Sequence, residues 1–148
     1  DSTRFGGTDP TESIISLGTH ANDSTTVVLY AWCDVPGLQK FGSFTGNNST
    51  DGPFVELGFR AALIIYKVNQ NGHNWMIFDS ERDKDNPCSA SLRGNLTNAE
   101  SSFSALDITN NGFKFRNTDT NPDGAEIIYM AWAEAPSVDL YGGGANAR

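Results

Sequence analysis

Cysteine, lysine and long apolar runs are all scarce in this sequence. Its 148 residues include two cysteines and four lysines, and only 19% of the residues are charged. Eighteen acidic residues against ten basic ones give a formal net charge of −8. This balance argues against nucleic acid or an anionic membrane as a partner, because both are bound chiefly by clustered Lys and Arg. No apolar run approaches the roughly 20 residues of a membrane helix, so we expect no membrane insertion.

The two cysteines, Cys33 and Cys88, favour free thiols over a disulfide or a zinc site. A small secreted scaffold usually carries more cysteines, in even number. Cys33 lies within an apolar run, where a buried thiol acts as a small hydrophobic side chain. A zinc site needs further ligands at close spacing, and His20 and His73 are far in sequence from both cysteines. Whether Cys33 pairs with Cys88 stays open.

Small polar residues supply most of the surface. Gly, Asn, Ser and Thr account for 54 residues, while aromatic residues make up 11% and hydrophobic residues 38% of the chain. This content is enough for a packed core, so the polar composition does not indicate disorder. The length suits one domain, and we expect residues 1–148 to form a single one.

Strand signals dominate the sequence. Five runs rich in β-branched and aromatic residues are bounded by turn-forming residues and predict strands: Thr25–Trp32, Phe59–Val68, Trp75–Phe78, Gly112–Arg116 and Glu126–Ala133. Strict alternation in the fourth run predicts that Phe113 and Phe115 face the core and that Lys114 and Arg116 face solvent. The runs around Ile64 and Tyr129 are apolar on both faces, which predicts central strands.

Turn signals connect these runs. Asn71-Gly72 and Asn110-Asn111 predict tight hairpin turns with positive φ. The best helix candidate is Asn95–Ser102, where Thr97 and Glu100 have the spacing of a capping box. The sequence therefore predicts an all-β antiparallel β-sandwich, similar to lectins or jelly rolls, with at most one or two short helical turns.

One segment has the beginning of a calcium loop. Asp119, Asn121 and Asp123 supply oxygens at positions 1, 3 and 5, and Gly124 follows at position 6. Position 12 is Met130, which cannot bind a hard cation, so a helix-loop-helix site is excluded. We prefer a Pro-Asp-Gly turn and expect no metal and no cofactor, with calcium bound through distant carboxylates as the weaker alternative.

No catalytic residues are predicted. The sequence has neither a Gly-x-Ser-x-Gly motif nor the cysteine motif of papain-like proteases, and no carboxylate pair lies in a run that would raise a pKa by burial. The three tryptophans could stack on sugars, but Trp32, Trp75 and Trp132 all stand in apolar runs, where core packing is the ordinary role. We therefore expect a protein that is not an enzyme.

A series of motifs, each weak alone, resembles a domain of unknown function in structural proteins of marine tailed phages. The motifs occur in the family's order from about Thr8 to Arg148, and they include Thr8-Asp9-Pro10-Thr11, Tyr30-Ala31-Trp32-Cys33, Lys40-Phe41-Gly42-Ser43-Phe44, Asp51-Gly52-Pro53-Phe54-Val55, Asn95-Leu96-Thr97-Asn98-Ala99-Glu100 and Tyr129-Met130-Ala131-Trp132-Ala133-Glu134. The resemblance implies a C-terminal β-sandwich of a longer virion protein, such as a tail fibre or adhesin. It implies no catalytic residues.

The expected function is therefore attachment on the extracellular face of a virion. We expect a homo-oligomer, a trimer as is common in fibres, that contacts a glycan or protein of the host surface. Loop tips carry such contacts on rigid scaffolds, and the loops Thr45–Pro53, Asn69–Asn74, Asp79–Ser89 and Asn117–Gly124 are the candidates. Within the first three, the candidate binding residues are Asn47, Asn48, Asp51, His73, Arg82, Asp83 and Asp85. The alternatives are a capsid-decorating or fibre-joining domain and a calcium-dependent carbohydrate-binding module.

Overall fold

The computed structural model describes residues 11, 13–18, 30–70 and 72–134, and the chain divides into two compact units, Asp1–Trp32 and Cys33–Arg148. In the first unit, Thr11 closes a short turn in which its backbone N–H donates to the Ile14 carbonyl at 2.9 Å. Tyr30 and Trp32 stack with ring centroids 6.1 Å apart. The strands described below belong to the second unit.

Eight strands form one sheet in which every neighbouring pair is antiparallel. They are β1 (Gln39–Thr45), β2 (Phe54–Glu56), β3 (Ala61–Val68), β4 (Met76–Asp79), β5 (Cys88–Arg93), β6 (Ser101–Thr109), β7 (Gly112–Phe115) and β8 (Glu126–Ala133). Their order across the sheet is β1-β8-β3-β4-β5-β6-β7-β2. A single 3-10 turn at Thr118–Thr120 is the helical content of the described residues. The predicted all-β antiparallel fold is confirmed.

The sheet folds over itself into two layers. Strands β1, β8, β3 and β4 form one layer and β6, β7 and β2 the other, while β5 pairs with both β4 and β6 and has a register shift between Cys88 and Ala90. Rings from the two layers meet in the core, where Phe115 lies 5.2 Å from Phe44 and 5.0 Å from Tyr66 between ring centroids. The layers therefore enclose an aromatic core, as expected of a sandwich.

The strands that are apolar on both faces lie at the centre of their layer. β8 pairs with β1 and β3, and β3 pairs with β8 and β4. Ile127, Tyr129 and Ala131 of β8 point into the core, while Met130 on the opposite face is half-buried. In β7, Phe113 and Phe115 are fully buried, which confirms the alternation predicted there.

The sheet is nearly closed, and a lysine joins its two edges. β1 and β2 are the outermost strands in the sheet order. The ammonium group of Lys40 on β1 donates to the backbone carbonyl of Glu56 on β2 at 2.8 Å. One side chain thus bridges the edges that a sandwich otherwise leaves apart.

The strand directions sort the connections into two ends. The upper end carries the connections 46–53, 69–75, 94–100 and 116–125, and the lower end carries 57–60, 80–87 and 110–111. Three of the four predicted binding loops, Thr45–Pro53, Asn69–Asn74 and Asn117–Gly124, are therefore at the upper end. The fourth, Asp79–Ser89, is at the lower end.

Several local predictions were wrong. Asn95–Ser102 forms no helix, because the Asn95 side chain accepts from the backbone of Trp75 and Glu100 pairs with Arg82. Asn110-Asn111 does connect an antiparallel hairpin, but without positive φ, whereas Gly72 has a φ of 86° as expected. The described strands β1, β2, β5 and β6 were not predicted.

The predicted first strand is tested only at its end. Residues 25–29 of Thr25–Trp32 lie outside the described residues, and residues 30–32 are not in a strand. Trp32 is 54% exposed, so its predicted core position is wrong, and Trp75 and Trp132 are half-buried rather than in the core.

Candidate functional site

One buried amide holds two upper-end connections together. Asn121 is fully buried, and its side-chain oxygen accepts from the Asn47 backbone N–H at 2.9 Å. Its NH₂ group donates to the Asn47 side chain at 2.7 Å and to the Ser49 carbonyl at 3.0 Å. At Gly46 a Cβ would lie 2.1 Å from the Pro122 carbonyl oxygen, so only glycine permits this approach. These contacts fix the connection 46–53 against 116–125.

The predicted residues of the first loop support its shape. Asn47 is part of the network around Asn121, and Asn48 has a φ of 49°, which Asn tolerates better than most residues. The Asp51 carboxylate pairs with Lys114 at 2.9 Å and with Arg116 at 3.5 Å. The hydrogen bond and positive charge of Lys114 lower the pKa of Asp51. Lys114 and Arg116 are therefore paired instead of merely facing solvent.

The three candidate metal ligands do not form a cation site. The Asn121 amide is buried and bonded to the chain, whereas Asp119 and Asp123 are exposed. Ala125 N–H donates to the Pro122 carbonyl at 3.2 Å, and Gly124 has a φ of 67°, which confirms the predicted Pro-Asp-Gly turn. Within the part of the chain that the structure describes, no group of three His, Cys, Asp or Glu side chains could hold a metal ion.

A second amide joins the other two upper-end connections. The Asn95 side-chain oxygen accepts from the Trp75 backbone N–H at 3.0 Å, and its NH₂ group donates to the Asn74 side chain at 3.0 Å. The Gly94 N–H donates to the Trp75 carbonyl at 2.9 Å. The upper end is thus built from two bonded pairs of loops.

Between these two pairs lies a cavity of about 400 Å³ that enters the space between the layers. This volume is within the range of small-molecule sites, roughly 300–1,000 Å³. Its wall combines apolar residues from the strands with polar residues from strand ends and loops: Tyr66, Val68, Met76, Phe103, Gly72, His73, Asn74, Arg93, Ser101, Ser102, Asn117, Asp119 and Thr120. The wall is more polar than that of a usual ligand site, which is mostly apolar with a few polar groups.

The Tyr66 hydroxyl in this cavity is an unpaired polar group. Tyr66 is 1% exposed, and its hydroxyl has no hydrogen-bond partner among the described residues. Burial raises the pKa of Tyr66, and the nearby Thr120 hydroxyl offsets only part of that rise. Thr120 instead donates to the Asn117 carbonyl at 2.9 Å. Leaving a buried hydroxyl unpaired costs about 1–3 kcal/mol, so this position calls for a partner.

Arg93 is the second unpaired group of the cavity. It is paired in register with Met76, and cross-strand partners point to the same face of a sheet. Met76 is buried in the core, so Arg93 also faces the space between the layers. Seven other Lys and Arg side chains in the described residues each make a hydrogen bond or an ion pair, and Arg93 makes neither with any described residue.

At the lower end, the predicted binding residues bond to their own chain. Arg82 pairs with Asp79 and, at 2.6 Å, with Glu100. Burial raises the pKa of Asp79, but hydrogen bonds from the Arg82 backbone and guanidinium outweigh burial and lower it overall. These ion pairs fix the position of the loop.

Asp83 and Asn86 fix the start of β5. The Asp83 carboxylate accepts from the backbone N–H groups of Ser89 and Ala90 and from the Ser89 hydroxyl, and these bonds lower the pKa of Asp83. The Asn86 side chain bonds both the N–H and the carbonyl of Ile108 at 2.9 Å. Asp85 in the same loop is exposed.

Both described cysteines are free thiols. Cys88 is buried at the start of β5, and desolvation raises the pKa of its thiol to about 11, which keeps it unreactive at neutral pH. Cys33 is exposed, so its predicted burial is wrong. The apolar run that suggested burial continues into residues 30–34, and these residues are not in a strand.

The cavity brings together only part of the predicted set. His73 and the metal candidate Asp119 line it, while Asn47, Asn48 and Asp51 lie in the neighbouring connection, and Arg82, Asp83 and Asp85 are at the lower end. Sequence reasoning missed Tyr66 and Arg93. The alternation of β3 indicates that Tyr66 faces inward, but the register that places Arg93 opposite Met76 has no local signal.

The family of the chain follows from its sequence. Residues 1–136 match the model of a family described as "Domain of unknown function (DUF7483)". The chain belongs to this family. No curated protein and no solved structure matches it significantly. Among the described residues, no helix of this DUF7483 member is long and apolar enough to cross a bilayer.

Proposed function

We propose that this DUF7483 domain is a non-enzymatic attachment module of a tailed-phage virion, a tail fibre or similar receptor-binding appendage, and that its upper end contacts the host surface. The observation that carries the proposal is the cavity between the upper-end loops. Its wall includes an arginine with no bonding partner among the described residues, in a chain whose other described Lys and Arg side chains are all bonded. The motifs shared with phage structural proteins supply the biological setting.

The upper end also has the rigidity that attachment requires. Asn121 and Asn95 each tie two connections together through side-chain hydrogen bonds. A site that is formed before binding loses less conformational entropy when a ligand arrives. Three copies on one appendage would convert weak single contacts into avidity, so we expect a homotrimer in the virion and no metal requirement.

Competition with the intact virus tests the proposal. The purified chain should block adsorption of the virus to its host, and a double variant His73→Ala with Asp119→Ala at the cavity should block it much less. The matched control is the double variant Lys84→Ala with Asp85→Ala, which changes two exposed residues of the lower end and should block as well as the unchanged chain. Urea unfolding of all three proteins checks that each is folded.

Location in the virion separates attachment from architecture. A density map should place the chain on the tail, in a few dozen copies or fewer. Hundreds of copies on the capsid lattice, together with no effect of the chain on adsorption, would instead identify a decoration domain and overturn the proposal.

A further inference from the structure

The cavity residues carry information about the ligand itself. Arg93 is the first element, because its guanidinium faces the cavity without an acidic partner among the described residues. The chain has an excess of eight acids over bases, so an unpaired arginine at an inward position is unusual. A guanidinium presents a planar fork of donors that matches a carboxylate with two parallel hydrogen bonds.

Asp119 limits the charge of that ligand. Its carboxylate lines the same cavity and is exposed. Its negative charge would repel a dianion such as a phosphate monoester. A single carboxylate carries only one negative charge, which the positive charge of Arg93 balances. Asp119 can in turn accept hydrogen bonds from neutral hydroxyl groups. The charges therefore favour a singly charged ligand that also carries hydroxyls.

The remaining wall matches a sugar ring. Asn74, Asn117 and Ser102 add amide and hydroxyl groups around the cavity, while the Tyr66 hydroxyl is buried behind its inner wall. Phe103 and Met76 supply apolar surface between these polar groups. A pyranose has this same division, with hydroxyls at its edge and C–H groups on its faces.

We propose that the cavity binds a hexuronic acid residue of a host-surface glycan, with Arg93 binding its carboxylate and the polar side chains of the wall bonding its ring hydroxyls. This inference rests on the proposed function for its biological meaning, but the binding itself is measurable on the purified chain. A single site of this kind binds on the order of 1 mM, and avidity in the virion would raise the effective affinity.

Two sugars that differ only at carbon 6 give the sharpest test. Titration calorimetry or saturation-transfer NMR should detect binding of methyl β-D-glucuronide, with about tenfold or greater preference over methyl β-D-glucoside. Arg93→Gln should remove that preference, and Arg93→Lys should restore only part of it because an ammonium lacks the planar fork. Lys84→Gln removes an equal charge at the lower end and should leave binding unchanged.

Tyr66→Phe is the control at the inner wall of the cavity. The Tyr66 hydroxyl is buried and out of reach of a ligand, so the variant should bind the glucuronide as well as the unchanged chain does. Its urea midpoint should match that of the unchanged chain, since the lost hydroxyl bonds nothing in the described residues. Loss of binding in Arg93→Gln but not in Tyr66→Phe separates the carboxylate contact from a general change in the core.

The outcomes separate the inference from the proposed function. Equal binding of the two sugars would overturn the inference, because the cavity would then not recognise the carboxylate. Equal binding of acetyl-glycine and the glucuronide would also overturn it, because the cavity would then not recognise the sugar. If adsorption nevertheless depends on His73 and Asp119, the proposed function stands with another ligand. If Arg93→Gln abolishes glucuronide binding but the chain never competes with the virus, the inference stands and the attachment role fails.

Discussion

Asp83, Asn86 and Arg60 at the lower end of the sandwich are bonded to their own chain, whereas the upper end combines bonded amides with two inward-facing groups that have no partner. Asp83 accepts three hydrogen bonds, and Arg60 pairs with Glu134 at 3.2 Å. At the upper end Asn121 is equally well bonded, but Arg93 and Tyr66 beside the cavity are not. The comparison teaches that the number of polar groups at one end does not by itself identify a binding site. The polar groups that lack a partner identify it.

The largest expected effect is at the amide that builds the upper end. Asn121→Ala should lower the free energy of unfolding by about 2–4 kcal/mol, because the Asn47 N–H and the Ser49 carbonyl lose their partner and a void opens at a fully buried position. Asn110→Ala, at an exposed position of the lower-end hairpin, should change stability by less than about 0.5 kcal/mol. Urea unfolding measures both. Equal effects would mean that the amide does not hold the upper end.

A smaller loss is expected at the lower end. Asp83→Ala should cost about 1–3 kcal/mol, since two backbone N–H groups at the start of β5 lose their acceptor. Asp85→Ala removes the same charge from the same loop and should cost little. Neither variant should alter ligand binding at the cavity. A binding defect in Asp83→Ala would show that the two ends are coupled.

Acid should act through the same lower-end carboxylates. The pKa values of Asp79 and Asp83 are lowered in the folded protein, so their contribution to stability is present above the unfolded pKa of about 3.9 and is lost as pH falls through the lower folded value. We expect a constant urea midpoint from about pH 5 to 7 and a decline below about pH 4. The difference between the unchanged chain and Asp83→Ala should shrink over that decline, and a difference that persists at pH 2 would contradict this origin.

The smallest effect distinguishes a paired hydroxyl from an unpaired one. Ser91 is fully buried and donates to the Ser101 carbonyl at 2.9 Å, so Ser91→Ala should cost about 1 kcal/mol. Tyr66→Phe should be neutral or slightly stabilising, by no more than about 0.5 kcal/mol in either direction. If Tyr66→Phe proves as costly as Ser91→Ala, the Tyr66 hydroxyl has a bonded partner in the folded chain and is not an unpaired group.

The sequence predicted the strands whose residues are strongly β-forming. Glu126–Ala133 forms β8 with the predicted bounds, and Gly112–Arg116 contains β7. By contrast β6 holds several serines, and its consecutive buried residues Ala105 and Leu106 interrupt the alternation that marks a strand. The Thr97–Glu100 spacing favoured a helix locally, but Glu100 instead forms an ion pair with Arg82, eighteen positions earlier. Local signals fail where such distant contacts decide the structure.

The site was predictable only as a set of loops. Turn-forming residues located Asn69–Asn74 and Asn117–Gly124, and strand topology then brought both to the upper end. His73 was identified because it is a rare polar side chain at a turn. Arg93 and Tyr66 were not identified, because what distinguishes them is the lack of a hydrogen-bond or ion-pair partner. Which groups find partners is decided only when the two layers assemble.

The lysine that bridges the two margins of the sheet has a consequence for crowding. Exposed strand edges recruit strands from other molecules, and a lysine at an edge opposes such recruitment because its charge would have to be buried. Lys40 places a charge at the margin of β1 and at the same time occupies a carbonyl of β2. Many copies could therefore be held close together on one particle without exchanging strands, so that each keeps its own fold at high local concentration.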